Sequence, residues 1–155
     1  MASFIPLADA VKALLNQQTF SRSFVAARIY DPLRPLEITE SMRVDVILGD
    51  RKSVPLDRSR MQNTCRVEIA LREKIKPLAG SDDERVYLDG LVGFMEELDD
   101  CLSDHDNRRP PAAPYAAWQG SELVYPFLPL QLRSERQFTS LLRLTYIVIT
   151  GPATQ

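Results

Sequence analysis

Residues 65–74 read CRVEIALREK, and the alternation within them decides the architecture. Val67, Ile69 and Leu71 point to one side of an extended chain, while Arg66, Glu68, Ala70 and Arg72 point to the other. At about 3.3 Å per residue the stretch reaches roughly 33 Å, long for a strand. One apolar side and one polar side describe an antiparallel strand covered on a single face.

Upstream, Arg43–Leu48 (RVDVIL) alternates in the same way and meets Gly49-Asp50, which reads as a strand followed by a turn. Residues 49–64 (GDRKSVPLDRSRMQNT) then form a long polar connection with Pro55 and a basic cluster, and Cys65 opens the next strand. Ser23–Tyr30 (SFVAARIY) is a further strand candidate, ended by Asp31-Pro32 and Pro35. Leu36–Ser41 fits either a helical turn or an early strand. Before these, Pro6 precedes Leu7, Ala10, Val11, Leu14 and Leu15, a helix with one apolar stripe and proline in its first turn, stopping near Gln18.

Downstream, Ser81-Asp82-Asp83-Glu84 has capping-box spacing and predicts a helix over 82–103. Leu88, Leu91, Met95, Leu98 and Leu102 make its buried stripe, and the acidic first turn suits the positive end of the helix dipole. Gly90 and Gly93 weaken an exposed helix, which predicts a close neighbour over them. Asp104–Pro114 is a proline-bearing loop. Tyr115–Trp118 and Leu123–Phe127 read as two short extended pieces, followed by an irregular stretch through Arg136. Phe138–Thr150 (FTSLLRLTYIVIT) is a long strand that is apolar on both sides. Ile147 and Ile149 lie on the face opposite Leu144 and Tyr146, which suggests burial on both sides, by a helix and by a neighbouring chain; a central strand in a monomer would look the same.

Strands and helices are thus segregated. The expected fold is α+β, a mainly antiparallel sheet of about four to five strands with two principal helices packed on one face. The 155 residues suit a single domain, 1–155, with 151–155 as a flexible tail. Hydrophobic residues at 45% and charged residues at 26% are ordinary for a soluble domain. A pI near 5.5 argues against a dedicated nucleic-acid binder. The opening MASFIPLADAVKALL lacks the basic start of a signal peptide, and no apolar run is long enough to span a bilayer.

Few residues offer chemistry. Cys65 and Cys101, with one histidine, cannot complete a four-ligand zinc site and read as reduced thiols. His105, set between Asp104 and Asp106, could act as a base or ligand, yet its loop setting favours a solvated side chain. No phosphate-cradling loop, nucleophile elbow or metalloprotease helix occurs. The expectation is a protein without enzymatic activity, with no catalytic, cofactor-binding or metal residues and no cofactor.

Charge is sorted along the chain. Residues 51–76 carry Arg51, Lys52, Arg58, Arg60, Arg66, Arg72, Lys74 and Lys76 against Asp57, Glu68 and Glu73. Residues 81–106 reverse this, with Asp82, Asp83, Glu84, Asp89, Glu96, Glu97, Asp99, Asp100, Asp104 and Asp106 against Arg85. The net charge of −2 conceals this division. Opposite fields on one small domain suit a subunit that docks one side on another side of its copy. The expected interface residues are Arg51, Lys52, Arg58 and Arg60 on the basic side, and Glu96, Glu97 and Asp100 on the acidic side. The basic cluster lacks the interleaved aromatics that stack on single strands, so docking on an acidic protein surface outweighs binding to nucleic acid, with a plainly solvated face as the remaining alternative.

This layout resembles the tail terminator and tail-completion proteins of long-tailed bacteriophages. The resemblance runs through LADAVKALLNQQTFS, SFVAARIYDP, LEITES and RVDVIL, then an arginine-rich loop containing Ser59-Arg60. It continues through TCRVEIALREK, DDERVYLDGLVGFMEELDDCL and FTSLLRLTYIV, and so covers nearly all of the chain in order and texture. It implies a structural virion protein without catalytic residues, which closes into a ring, commonly a hexamer, at the head–tail junction. Such a ring caps the tail tube and offers the head a docking surface. The implied partners are other copies of the chain, the tail tube protein and a head-completion or connector protein. Double-stranded DNA would pass through the lumen without specific binding, and no membrane is involved. The implied location is the tail or neck of the virion, reached through the host cytoplasm during assembly. A neck or head-closure adaptor is the alternative within the same class. A small cytosolic regulatory or ligand-binding module is the alternative outside it.

Overall fold

Met61–Lys74 and Gln137–Thr150 pair antiparallel along their whole lengths, from Met61 opposite Thr150 to Lys74 opposite Gln137. This pair is the spine of the fold, seen in a computed structural model that describes residues 3–31, 36, 42–75, 81–125, 129, 132–133 and 136–151. The elements in chain order are α1 (Phe4–Gln17), β1 (Ala27–Ile29), β2 (Arg43–Pro55), β3 (Met61–Lys74), α2 (Ser81–Ser103), a 3₁₀ turn (His105–Asn107), β4 (Ala116–Tyr125) and β5 (Gln137–Thr150). The sheet order is β1-β2-β3-β5-β4, with β1 parallel to β2 and every other pair antiparallel. The fold is α+β, as expected, with five strands.

Both helices cover one face. The alternation of β3 sends Cys65, Val67, Ile69 and Leu71 inward, where the register aligns them with Val44 and Val46 of β2 and with Leu142, Leu144 and Tyr146 of β5. Onto this face α1 buries Leu7, Val11, Leu14 and Leu15, and α2 buries Leu91, Phe94, Met95, Leu98 and Leu102. Truncating one of these leucines to alanine would cost about 2–5 kcal/mol through lost burial and the cavity left behind. Pro6 falls in the first turn of α1, where its missing N–H has no intrahelical partner to lose. Asp9 of α1 accepts from Arg28 of β1 at 2.8 Å, and Tyr87 of α2 donates to Glu73 of β3 at 2.6 Å.

The second face is divided. Its lower half is buried around Ile47, Ala70 and Leu141, with Asp45 and Arg72 enclosed beside them. A parallel pair such as β1 and β2 needs a crossover, and Leu36 is the described point of that crossover. Leu36 is buried, and its amide donates to Gln137 Oε1 at 2.8 Å, with Gln137 in turn donating to Thr139 Oγ1. The upper half carries Arg143 between Glu68 (3.2 Å) and Glu122 (3.7 Å), then Arg66 on Asp50 (2.9 Å). Beyond these lie Lys52, Val54, Ile147 and Ile149.

Several expectations need correction. Residues 49–64 are not a polar connection: β2 continues to Pro55, β3 begins at Met61, and only Leu56–Arg60 form the tip. Gly49-Asp50 is therefore a bulge, where the register shifts between Leu48 and Arg51, and Cys65 lies well inside its strand. A Cβ at Gly49 would stand 2.7 Å from the Arg66 carbonyl oxygen, so the bulge needs glycine. The strand expected over 23–30 shrinks to Ala27–Ile29, because Phe24 turns to pack on Phe20 and Phe94 instead. The two pieces expected at 115–118 and 123–127 are one strand, β4, whose Gln119-Gly120 interruption is a register shift rather than a break. The expected close neighbours over α2 hold for Gly90, where Arg22 would lie 3.2 Å from an added Cβ; at Gly93 nothing among the described residues lies within 4 Å. The expectations for 37–41, for most of 126–135 and for the tail beyond Gly151 lie outside the described residues.

Candidate functional site

The hairpin of β2 and β3 carries the basic set, and its tip is closed by its own chemistry. Asp57 accepts from the Ser59 and Arg60 amides at 2.9 Å each, and from Arg60 Nε at 2.7 Å. Leu56 N and Asp57 N both donate to the Arg60 carbonyl. This is the local side-chain bonding for which aspartate is favoured in turns. These bonds, the Ser59 amide first and the Arg60 guanidinium next, lower the Asp57 pKa from 3.8 to about 2. The last residues of β5 run beside the tip, and a Cβ at Gly151 would stand 2.6 Å from the Ser59 carbonyl oxygen. The projection is thus a three-stranded blade rather than a loop.

The blade sorts the four expected basic residues. Arg60 is neutralised by Asp57, at 2.6 Å through Nη2, and acts as a staple of the tip. Arg51 donates to Asn63 Oδ1 at 2.9 Å, a neutral partner that orients the guanidinium without cancelling its charge. Lys52 and Arg58 are exposed and carry no ion-pair partner among the described residues. They are the cations the blade presents outward.

The acidic residues on α2 sort the same way. Glu96 and Asp100 are exposed. Ser21 donates to Glu97 twice, from its amide at 2.8 Å and from its hydroxyl at 2.5 Å, which ties the α1–β1 connection to α2. As with Arg51, the neutral partner orients the group without cancelling its charge, so Glu97 holds a loop in place while remaining an anion. Arg85–Asp82 is a local pair on α2, and Arg136, next to the start of β5, pairs with Glu84 of the helix. Among the described residues, no ion pair joins the basic hairpin to the acidic helix within one chain. The structure does not bring the two sets together.

What the sequence reading missed is apolar. Val54 (40% exposed), Leu56 and Met61 stand out on the blade beside Ile149 (51%), while Val86 (66%) stands on the outer side of α2. In the register Val54, Gln62 and Ile149 form one row across β2, β3 and β5, and Thr64 and Ile147 the row beneath, next to Lys52. The available signal was the scatter of single apolar residues in the polar run 49–64, which a strand assignment would have placed on the blade, Val54 on the second face beside Ile149 and Met61 on the opposite one.

The remaining chemistry-bearing residues stay apart. His105 sits on the 3₁₀ turn, exposed, 3.6 Å from Asp106. It edges a cleft of about 330 Å³ lined by Asp106, Arg108, Arg109, Ala117 and Trp118, where the Arg108 guanidinium covers the Trp118 ring at 4.9 Å. Cys65 is buried and Cys101 half-buried, and burial pushes both thiols above their ordinary pKa. Among the described residues no helix is long and apolar enough to cross a membrane, and no group of three potential metal ligands forms. In comparisons with known proteins, no family model matches this chain and no curated protein matches it either.

Proposed function

We propose that this chain is a structural virion subunit that closes head-to-tail into a ring at the head–tail junction of a long-tailed phage. The ring would cap the tail tube and present a docking surface to the head. The observation that carries the reading is the separation of unlike surfaces on one subunit. A blade with free cations (Lys52, Arg58) and exposed apolar side chains points away from the chain, and a helix with free carboxylates (Glu96, Asp100) is exposed elsewhere. Neither surface satisfies the other within the chain. A subunit with two different complementary patches associates heterologously, and it forms a ring when the rotation between neighbours closes. The partners in this reading are further copies of the chain, commonly six, with the tube protein on one side and a head-completion or connector protein on the other. DNA would pass through the opening without sequence-specific contact. A neck adaptor would use the same surfaces and differ in its place in the order of assembly.

The test is negative-stain microscopy and sedimentation of the purified chain, alone and with tube protein. Annular particles with a central opening are expected. A protein that sediments as one subunit in both preparations overturns the reading.

A further inference from the structure

At the upper end of the second sheet face, beyond the Arg143–Glu68 and Arg66–Asp50 pairs, the apolar side chains Val54 and Ile149 are exposed. We infer that the occupant of this end is the outer face of α2 from a second copy, laid across Val54, Ile147 and Ile149. This rests on the assembly reading and specifies its contact.

Three observations select that occupant. β5 is apolar on both sides at this end: Tyr146 and Val148 are buried under the helices, while Ile149 faces solvent at 51% exposure on the opposite side. The lower half of the same face is already buried, so the upper end, beyond the paired charges of Arg143 and Arg66, is where a further layer would sit. The exposed patch is edged by Lys52, with Arg58 at the tip; neither has an ion-pair partner among the described residues, since the nearby Asp50 and Asp57 are held by Arg66 and Arg60.

That edge decides between partners. Two copies stacked face to face about a two-fold axis would bring the same cations together, which is repulsive. The outer face of α2 has the opposite charge and an exposed apolar residue, Val86. Asp82, Asp89, Glu96 and Asp100 follow one another at steps of seven, seven and four residues, a column along one side of the helix. Beside it run Val86 and Gly93, the first 66% exposed and the second with open space where a Cβ would stand. Glycine in an exposed helix interior is unfavourable, and nothing within the chain requires Gly93. Against a neighbouring sheet its missing side chain permits close approach. The contact is heterologous, with one patch donated and a different one received, as ring closure requires.

Short-span bismaleimide cross-linking tests the contact in a Cys101→Ser background, where Cys65 is buried. Singly substituted Val86→Cys and Ile149→Cys chains, both at exposed positions, are mixed in equal amounts and treated at a concentration where the parent chain associates. A covalent heterodimer between the two variants, absent from either alone, is the expected result. Homodimers of Ile149→Cys alone would establish face-to-face stacking and overturn the inference. Association without either product would also overturn it, while leaving the ring reading in place. Absence of association by the parent chain would sink both.

Discussion

Arg72 Nη2 donates to Asp45 Oδ2 at 2.7 Å, inside the sheet, where the two side chains are 3% and 1% exposed. Arg43 donates to the other oxygen of the same carboxylate at 3.1 Å. Removing one member of a buried ion pair strands the other charge, so Asp45→Ala should destabilise the fold by about 3–5 kcal/mol. Replacing both members, Asp45→Leu with Arg72→Met, should recover most of that loss, because the desolvation cost disappears with the charges. Thermal or urea unfolding of the three proteins decides it. A double variant as unstable as the single one would contradict this account.

Asn16, near the end of α1, grips the chain entering β1. Its Oδ1 accepts from Ala26 N at 2.7 Å and its Nδ2 donates to Ala26 O at 3.2 Å. Because β1 pairs with β2 over only three residues, this clamp supplies much of its anchorage. Asn16→Ala should cost about 1–3 kcal/mol and speed hydrogen exchange at the Ala26 amide. Unchanged exchange at that amide would show that the clamp is dispensable.

Two glycines should respond to alanine with opposite signs. At Gly49 the new Cβ would press on the backbone of Arg66, which cannot yield cheaply, so Gly49→Ala should lose about 1–3 kcal/mol. At Gly93 the site is open, so Gly93→Ala should raise the stability of the isolated subunit by about 0.5–1 kcal/mol. Melting temperatures measured below the association concentration make the comparison.

Asp57 confers a pH dependence on the hairpin tip. Its folded pKa is about 2 against an ordinary 3.8, so the ionised carboxylate is the form the tip holds. The contribution is complete above the ordinary value and is lost as pH falls through about 2. The amide resonances of Ser59 and Arg60 should titrate with that low midpoint, and Asp57→Asn should abolish the transition. A midpoint near 3.8 would mean that the tip bonds do not persist in solution.

Reversing both free carboxylates, Glu96→Lys with Asp100→Lys, should weaken self-association about tenfold, since exposed pairs are individually weak. Adding Lys52→Glu and Arg58→Glu to the same chain should restore it. Raised salt should blunt both effects by screening. Glu97→Lys belongs to a different class: it breaks the two Ser21 bonds and should lower the stability of the subunit itself. Sedimentation and melting measurements separate the two kinds of effect.

Most of the scaffold was legible because core burial writes periodicity into sequence. The β3 segment Val67–Leu71, the α2 stripe Leu91–Leu102 and β5 each repeat apolar residues at the period of their element. The blade beyond Leu48 was not legible, since both of its sides carry polar residues and Pro55 imitates a loop while closing a strand. β1 was overextended because Phe24 and Val25 have strand-forming character, yet Phe24 is claimed by the aromatic cluster with Phe20 and Phe94. Charge sorting gave the interface candidates, but it could not see that Arg60 is neutralised within the chain or that Glu97 holds a loop. Those pairings join Arg60 to a turn carboxylate and Glu97 to a serine 76 residues away, and no count of charges distinguishes them from free groups.

β5 comes after all the other strands in sequence yet lies between β3 and β4 in the sheet. During synthesis the polypeptide cannot close its sheet until that segment leaves the ribosome and slots between waiting neighbours. Ile147 and Ile149 arrive on the same segment. On the proposed assembly, a half-made subunit would lack the surface by which it adheres to others, and maturation of the fold would license polymerisation.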